Sequence, residues 1–125
     1  RVLLTEDNTL TAEIAETILT DAGLLVETAE NGAVALEKLK TAPEGYFDIV
    51  LMDIQMPRMN GYQAARAIRA LEGERAKTPI IAMTANAFEE DRQAAFESGM
   101  DAYASKPIEP QKLLEIIAGT LTRGK

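Results

Sequence analysis

The feature that most restricts this chain is the alternation of five short apolar runs with longer segments of helical period. The runs are Val2-Leu3-Leu4, Leu24-Leu25-Val26, Ile49-Val50-Leu51-Met52, Ile80-Ile81-Ala82-Met83 and Ala102-Tyr103-Ala104. The first, third and fourth are unbroken aliphatic or nearly so, as strands are when both faces are covered. The second turns polar at Glu27-Thr28 and the fifth is small and mixed, which suits sheet edges. Between the runs, Leu10, Ile14, Ile18 and Ala22 recur every four residues, with Ala15 and Leu19 beside them. Leu113, Ile117 and Leu121 repeat this spacing, flanked by Leu114 and Ala118, and weaker stripes run through Ala35, Leu36, Leu39 and through Ala64, Ala65, Ile68, Leu71. Segment 87–98 is the least regular, because polar residues interrupt it. Gly23 and Gly99 mark helix ends and Asn31-Gly32 a helix start. Pro43-Glu44-Gly45 and residues 57–61 read as loops, and Pro79 opens a strand where its missing N–H is tolerated. Strands alternating with helices imply crossover connections, hence a parallel sheet with helices on both faces. The expectation is one three-layer α/β domain over residues 1–125, with no second domain, linker or repeat.

Composition narrows the chemistry. The 125 residues include 13 Lys and Arg against 20 Asp and Glu, for a formal charge of −7, and contain neither His nor Cys. Imidazole and thiolate catalysis, disulfides and His or Cys metal ligands are therefore excluded. No apolar run approaches the ~20 residues a membrane-spanning helix requires. The start, Arg1-Val2-Leu3-Leu4-Thr5-Glu6, turns acidic too soon for a signal peptide. Lys and Arg are not concentrated on any stretch, which argues against direct nucleic-acid binding. Carboxylates, hydroxyls and lysine remain.

In an open parallel α/β sheet, ligands bind at the carboxyl ends of the strands. Glu6 and Asp7 follow the first apolar run, Asp53 the third, Thr84 the fourth and Lys106 the fifth. Three carboxylates converging on one edge repel each other unless a cation lies among them. Oxygen-only ligands suit Mg²⁺. A divalent ion beside a carboxylate, a hydroxyl and an ammonium makes a phosphoryl site. Each residue alone has an ordinary role: Asn8 or Thr9 as a helix cap, Asp53 in a loop, Thr84 in a turn, Lys106 in solvent, Tyr103 as an edge aromatic. Met52, Met56, Met59 and Met83 read as packing residues. The shared location of the polar set favours a site.

Over residues 1 to about 121, the chain resembles the receiver domains of two-component response regulators. The resemblance rests on Glu6-Asp7, on Asp53 within Leu51-Met52-Asp53-Ile54-Gln55-Met56-Pro57-Arg58-Met59-Asn60-Gly61, on Thr84-Ala85 and on Tyr103-Ala104-Ser105-Lys106-Pro107. It implies a flavodoxin-like (βα)5 fold with strand order 2-1-3-4-5. It implies that Asp53 accepts phosphate from a phosphohistidine on a histidine kinase domain or a histidine phosphotransfer protein. Glu6 and Asp7, the latter more directly, would hold Mg²⁺ (or Mn²⁺) together with Asp53 and the backbone carbonyl of Gln55. Lys106 would pair with a phosphoryl oxygen, and the peptide between Lys106 and Pro107 would be cis. Thr84 would move to hydrogen-bond the phosphoryl group. Tyr103 would then turn inward over the small Ala85 and repack the face formed by the fourth helix, fifth strand and fifth helix. The domain would thus catalyse its own phosphorylation and dephosphorylation.

Some positions depart from the family pattern. Glu6 and Asn60 stand where Asp is common, and Ala104 is smaller than usual. Gln55 and Asn86 occupy positions that tune hydrolysis in the family. Stretches 52–61, 80–87 and 99–108 are most similar to receivers of hybrid histidine kinases, which places the domain in the cytoplasm or on the cytoplasmic side of a membrane-anchored kinase, without membrane contact of its own. Arg1 in place of an initiator methionine gives the expectation of an excised domain. A stand-alone response regulator without its output domain is the alternative. An aspartyl-phosphate phosphatase of the haloacid-dehalogenase type is disfavoured, since Gln55 stands where that chemistry needs a second Asp. A degenerate interaction module is disfavoured by the filled positions, and a nucleotide-binding domain by the absence of a Gly-x-Gly pair or Walker-type loop.

Overall fold

The computed structural model describes the chain except residues 7–8, 44–45, 55–60, 72, 85–88, 106–108 and 124–125, with backbone alone at 74–75, 84, 89–92, 105 and 121–123. In chain order the elements are β1 (Val2–Thr5), α1 (Thr9–Asp21), β2 (Val26–Ala29), α2 (Gly32–Thr41), β3 (Ile49–Asp53), α3 (Gly61–Arg69), a 3₁₀ helix (Gly73–Lys77), β4 (Ile80–Thr84), α4 (Glu89–Glu97), β5 (Ala102–Ser105) and α5 (Pro110–Arg123). The strands form one parallel sheet of order β2-β1-β3-β4-β5, the order the resemblance implies.

Alternation along the inner strands divides the core in two. Leu3, Val50, Met52, Ile80 and Ala82 face one side, where Ala35 and Leu39 of α2 and Ala64, Ala65 and Ile68 of α3 cover them. Val2, Leu4, Ile49, Leu51, Ile81 and Met83 face the other, against Ala15 and Leu19 of α1 and Leu113 and Ile117 of α5. Two covered faces leave little place for a polar side chain, which is why β1, β3 and β4 are apolar up to their last residues, Thr5, Asp53 and Thr84.

Local signals act as their chemistry dictates. Asn31 caps α2, its side-chain oxygen accepting the Val34 N–H at 3.0 Å. The chain turns out of α1 at Gly23 and out of α4 at Gly99, both at positive φ (89° and 102°).

Three readings are corrected and one element is added. β2 begins at Val26, where the apolar run ends, and contains Glu27 and Thr28. Leu24 is drawn into the α1 terminus, its N–H bonded to the Leu19 carbonyl, and Leu25 stays exposed. On α1 the four-spaced row does not share one face: Ala15 and Leu19 are buried, whereas Leu10 and Ile14 are 68% and 48% exposed. A step of four residues overshoots a turn by about 40°, so such a row winds around the helix. Gly61 is the first residue of α3 rather than the end of a loop, and the 3₁₀ helix had no signal in the apolar pattern.

Two polar contacts complete the frame. The Lys38 ammonium donates to the outward-facing Thr28 carbonyl on edge strand β2 at 2.5 Å. At the base of the sheet, Arg69 donates from Nε to the Gly99 carbonyl (2.8 Å), from one terminal nitrogen to the Ala76 and Thr78 carbonyls (both 2.7 Å), and from the other to the Asp101 carboxylate (2.7 Å). The same carboxylate oxygen accepts the Ile80 N–H at 2.8 Å. One side chain thereby ties α3 to the starts of β4 and β5 and to the end of α4.

Candidate functional site

The carboxyl ends of the strands lie along one edge of the sheet. Thr5 of β1 pairs with Met52 of β3, Asp53 with Met83 of β4, and Thr84 with Ser105 of β5. Glu6 follows Thr5 directly, and its N–H still continues the ladder, bonded to the Ala29 carbonyl at 3.0 Å. Asp53 closes β3, and the next N–H, of Ile54, bonds to the Met83 carbonyl at 3.0 Å. Sheet hydrogen bonds therefore hold the backbone at both acids.

Glu6 and Asp53 are 5% and 3% exposed, the two buried acids among the described residues. Buried carboxylates are rare without a compensating partner. They sit one residue beyond a paired position on adjacent strands, which lie about 4.8 Å apart, and strand alternation puts both on the side of Leu4 and Leu51. Two acids so placed repel each other, and the repulsion makes the edge a receptor for a cation. The donors are hard oxygens, which fits Mg²⁺ and its tolerance of a partial protein cage. The described residues do not complete a group of three acidic ligands. The third expected one, Asp7, lies outside them, as do Gln55, Lys106 and Pro107 with their peptide bond, and Asn8, Asn60, Ala85 and Asn86.

Thr84 ends β4, next along the edge from Asp53. Tyr103 lies within β5, opposite Ala82, half-buried against the cluster that α2 and α3 cover. The structure thus brings Glu6, Asp53 and the backbone of Thr84 to one edge, with Tyr103 one strand away. It adds two residues that sequence reasoning did not single out. The hydroxyl of Thr5, the residue before Glu6, is fully buried with no hydrogen-bond partner. Gly61 packs directly on the Asp53–Ile54 backbone. A threonine ending an otherwise aliphatic run was the available signal for the first; for the second it was only a place at the end of the quoted motif, because a glycine's neighbours leave no trace in sequence.

Residues 2–118 match the model of the response regulator receiver domain. The chain is 42% identical over 119 residues to the sensor histidine kinase GacS of Pseudomonas protegens, covering 94% of this chain and 13% of that protein. It is 41% identical over 120 residues to hybrid signal transduction histidine kinase I of Dictyostelium discoideum, covering 94% of this chain and 7% of that one. Among solved structures, the receiver domain of sensor histidine kinase PA1611 from Pseudomonas aeruginosa PAO1 superposes with a TM-score of 0.87 at 34% identity, covering 97% of this chain and 96% of that one; it carries magnesium in its active-site cleft. The chain belongs to the response regulator receiver domain family. Within that family it is homologous to the receivers of hybrid sensor histidine kinases, of which it spans a small part. No helix among the described residues is long and apolar enough to cross a membrane.

Proposed function

We propose that this receiver takes a phosphoryl group from a phosphohistidine onto Asp53 in a phosphorelay. The observation that carries the reading is the joint burial of Glu6 and Asp53 at neighbouring strand ends. A carboxylate oxygen of Asp53 attacks phosphorus, the P–N bond to the donor imidazole breaks with its electron pair leaving on nitrogen, and an aspartyl phosphate forms. Mg²⁺ when bound supplies charge neutralisation, held by Glu6, Asp7, Asp53 and the Gln55 carbonyl; Mn²⁺ shares the oxygen preference. Lys106 pairs with a phosphoryl oxygen, Thr84 donates its hydroxyl to another, and Tyr103 follows. This chain has no histidine, so the donor is another domain or protein: a histidine kinase or a histidine phosphotransfer protein. The parent is a hybrid sensor kinase, with this domain on the cytoplasmic side.

The exposed Leu10 and Ile14 of α1 support a docking role, since α1 starts beside the site and a donor protein seated there covers them. Intact mass tests the reading. The native chain treated with phosphoramidate should gain one phosphoryl mass with Mg²⁺ and none with EDTA, and Asp53→Asn should gain none. A native chain that never gains the mass, or a variant that gains it equally, would refute it. Leu10→Ala with Ile14→Ala should slow transfer from a phosphohistidine protein while leaving the phosphoramidate rate unchanged.

A further inference from the structure

We infer that Gly61 is a positioning residue for Asp53, an inference resting on the reading of Asp53 as phospho-acceptor. A Cβ at position 61 would lie 2.7 Å from the Asp53 carbonyl oxygen, 2.8 Å from the Ile54 Cα and 3.2 Å from the Asp53 carbonyl carbon. The closest ordinary C···O approach is about 3.3 Å. All three atoms are backbone, so no side-chain rotation relieves the contact. The Gly61 N–H also donates to the Ile54 carbonyl at 3.0 Å. Gly61 therefore presses against the peptide that carries Asp53 and is bonded to the residue after it.

What yields to a methyl group here follows from what is anchored. α3 cannot retreat easily: Ala64, Ala65 and Ile68 are fully buried, and Arg69 fastens its far end to three carbonyls and a carboxylate. The body of β3 is held by ladders on both sides. Past Asp53 the hold is lighter, with the Ile54 N–H bonded to the Met83 carbonyl. Displacement falls on Asp53 and Ile54. Gly61 is not in the left-handed region, so alanine suits its backbone and the substitution isolates the steric effect. A misplacement of about 1 Å at a reacting group can lower a rate about 100-fold.

The test compares Gly61→Ala with Gly23→Ala, the same change at a positive-φ turn with open space around it. Phosphoramidate-dependent phosphorylation at saturating Mg²⁺ is measured by intact mass and referred to the folded fraction found by circular dichroism in the same samples. Backbone amide shifts are recorded for both variants. Gly61→Ala should lose at least about tenfold in rate per folded molecule, with its largest amide shifts at Asp53, Ile54 and Met83, while Gly23→Ala keeps the native rate. A native rate per folded Gly61→Ala molecule, or amide shifts confined to α3, would overturn the inference. A native chain that takes up no phosphate would instead remove the reading beneath it, and the amide shifts would still decide whether Gly61 sets the position of Asp53.

Discussion

The two ends of the sheet handle charge in opposite ways. At the base, Arg69 meets Asp101 and three carbonyls, and the acceptors lie where the guanidinium can reach them all. At the carboxyl edge, Glu6 and Asp53 bring charges of one sign together below the surface, and the Thr5 hydroxyl, one residue before Glu6 on β1, is buried without a hydrogen-bond partner. The base is arranged as stability requires. The edge is not: apolar residues at Thr5, Glu6 and Asp53 would pack without repulsion or desolvation. Local arrangements that oppose stability concentrate where a chain does chemistry.

The contrast breaks at the base first. Arg69→Met should cost about 3 kcal/mol, toward the low end for a charge pair because Arg69 and Asp101 are partly exposed. Urea unfolding measures it, and the phosphoramidate rate per folded molecule should stay native. A loss under about 1 kcal/mol would mean that the base contacts are as weak as ordinary surface pairs. Asp53→Asn should act with the opposite sign. In EDTA it should raise stability by about 1–2 kcal/mol, because one of two like charges is gone. Mg²⁺ should then raise the melting temperature of the native chain but not of the variant. Equal stability with and without the charge would end the argument from repulsion. The smallest change is Thr5→Val, which replaces an unpartnered buried hydroxyl with a methyl and should add about 1 kcal/mol. A loss of stability there would show that the hydroxyl has a partner in solution.

How legible this was in sequence follows burial. β1, β3 and β4 are covered on both faces, so their residues announced them, and the turns at Gly23 and Gly99 were visible because few residues tolerate positive φ. Glu6, Asp53 and Thr84 were legible as a set since each follows an apolar run. β2 was misplaced because an edge strand with one partner need not be apolar, and Glu27 and Thr28 hid it. The exposed Leu10 and Ile14 mimicked a buried stripe. The Arg69 contacts were invisible for a different reason: their acceptors are mostly backbone carbonyls, which every residue carries, up to 30 positions away. Gly61 was read as part of a motif, but only its proximity to the Asp53 carbonyl says why a side chain is excluded.

The lysine laid across β2 bears on the fate of the molecule in a crowded solution. An edge strand offers carbonyls and N–H groups to any other strand that comes alongside, and two copies meeting edge to edge can begin an aggregate. Lys38 occupies the Thr28 carbonyl, and an incoming strand would have to displace a charged group to pair there. Neutralising that side chain, as acetylation does, would leave the isolated fold almost unchanged while making the sheet adhesive to its own kind.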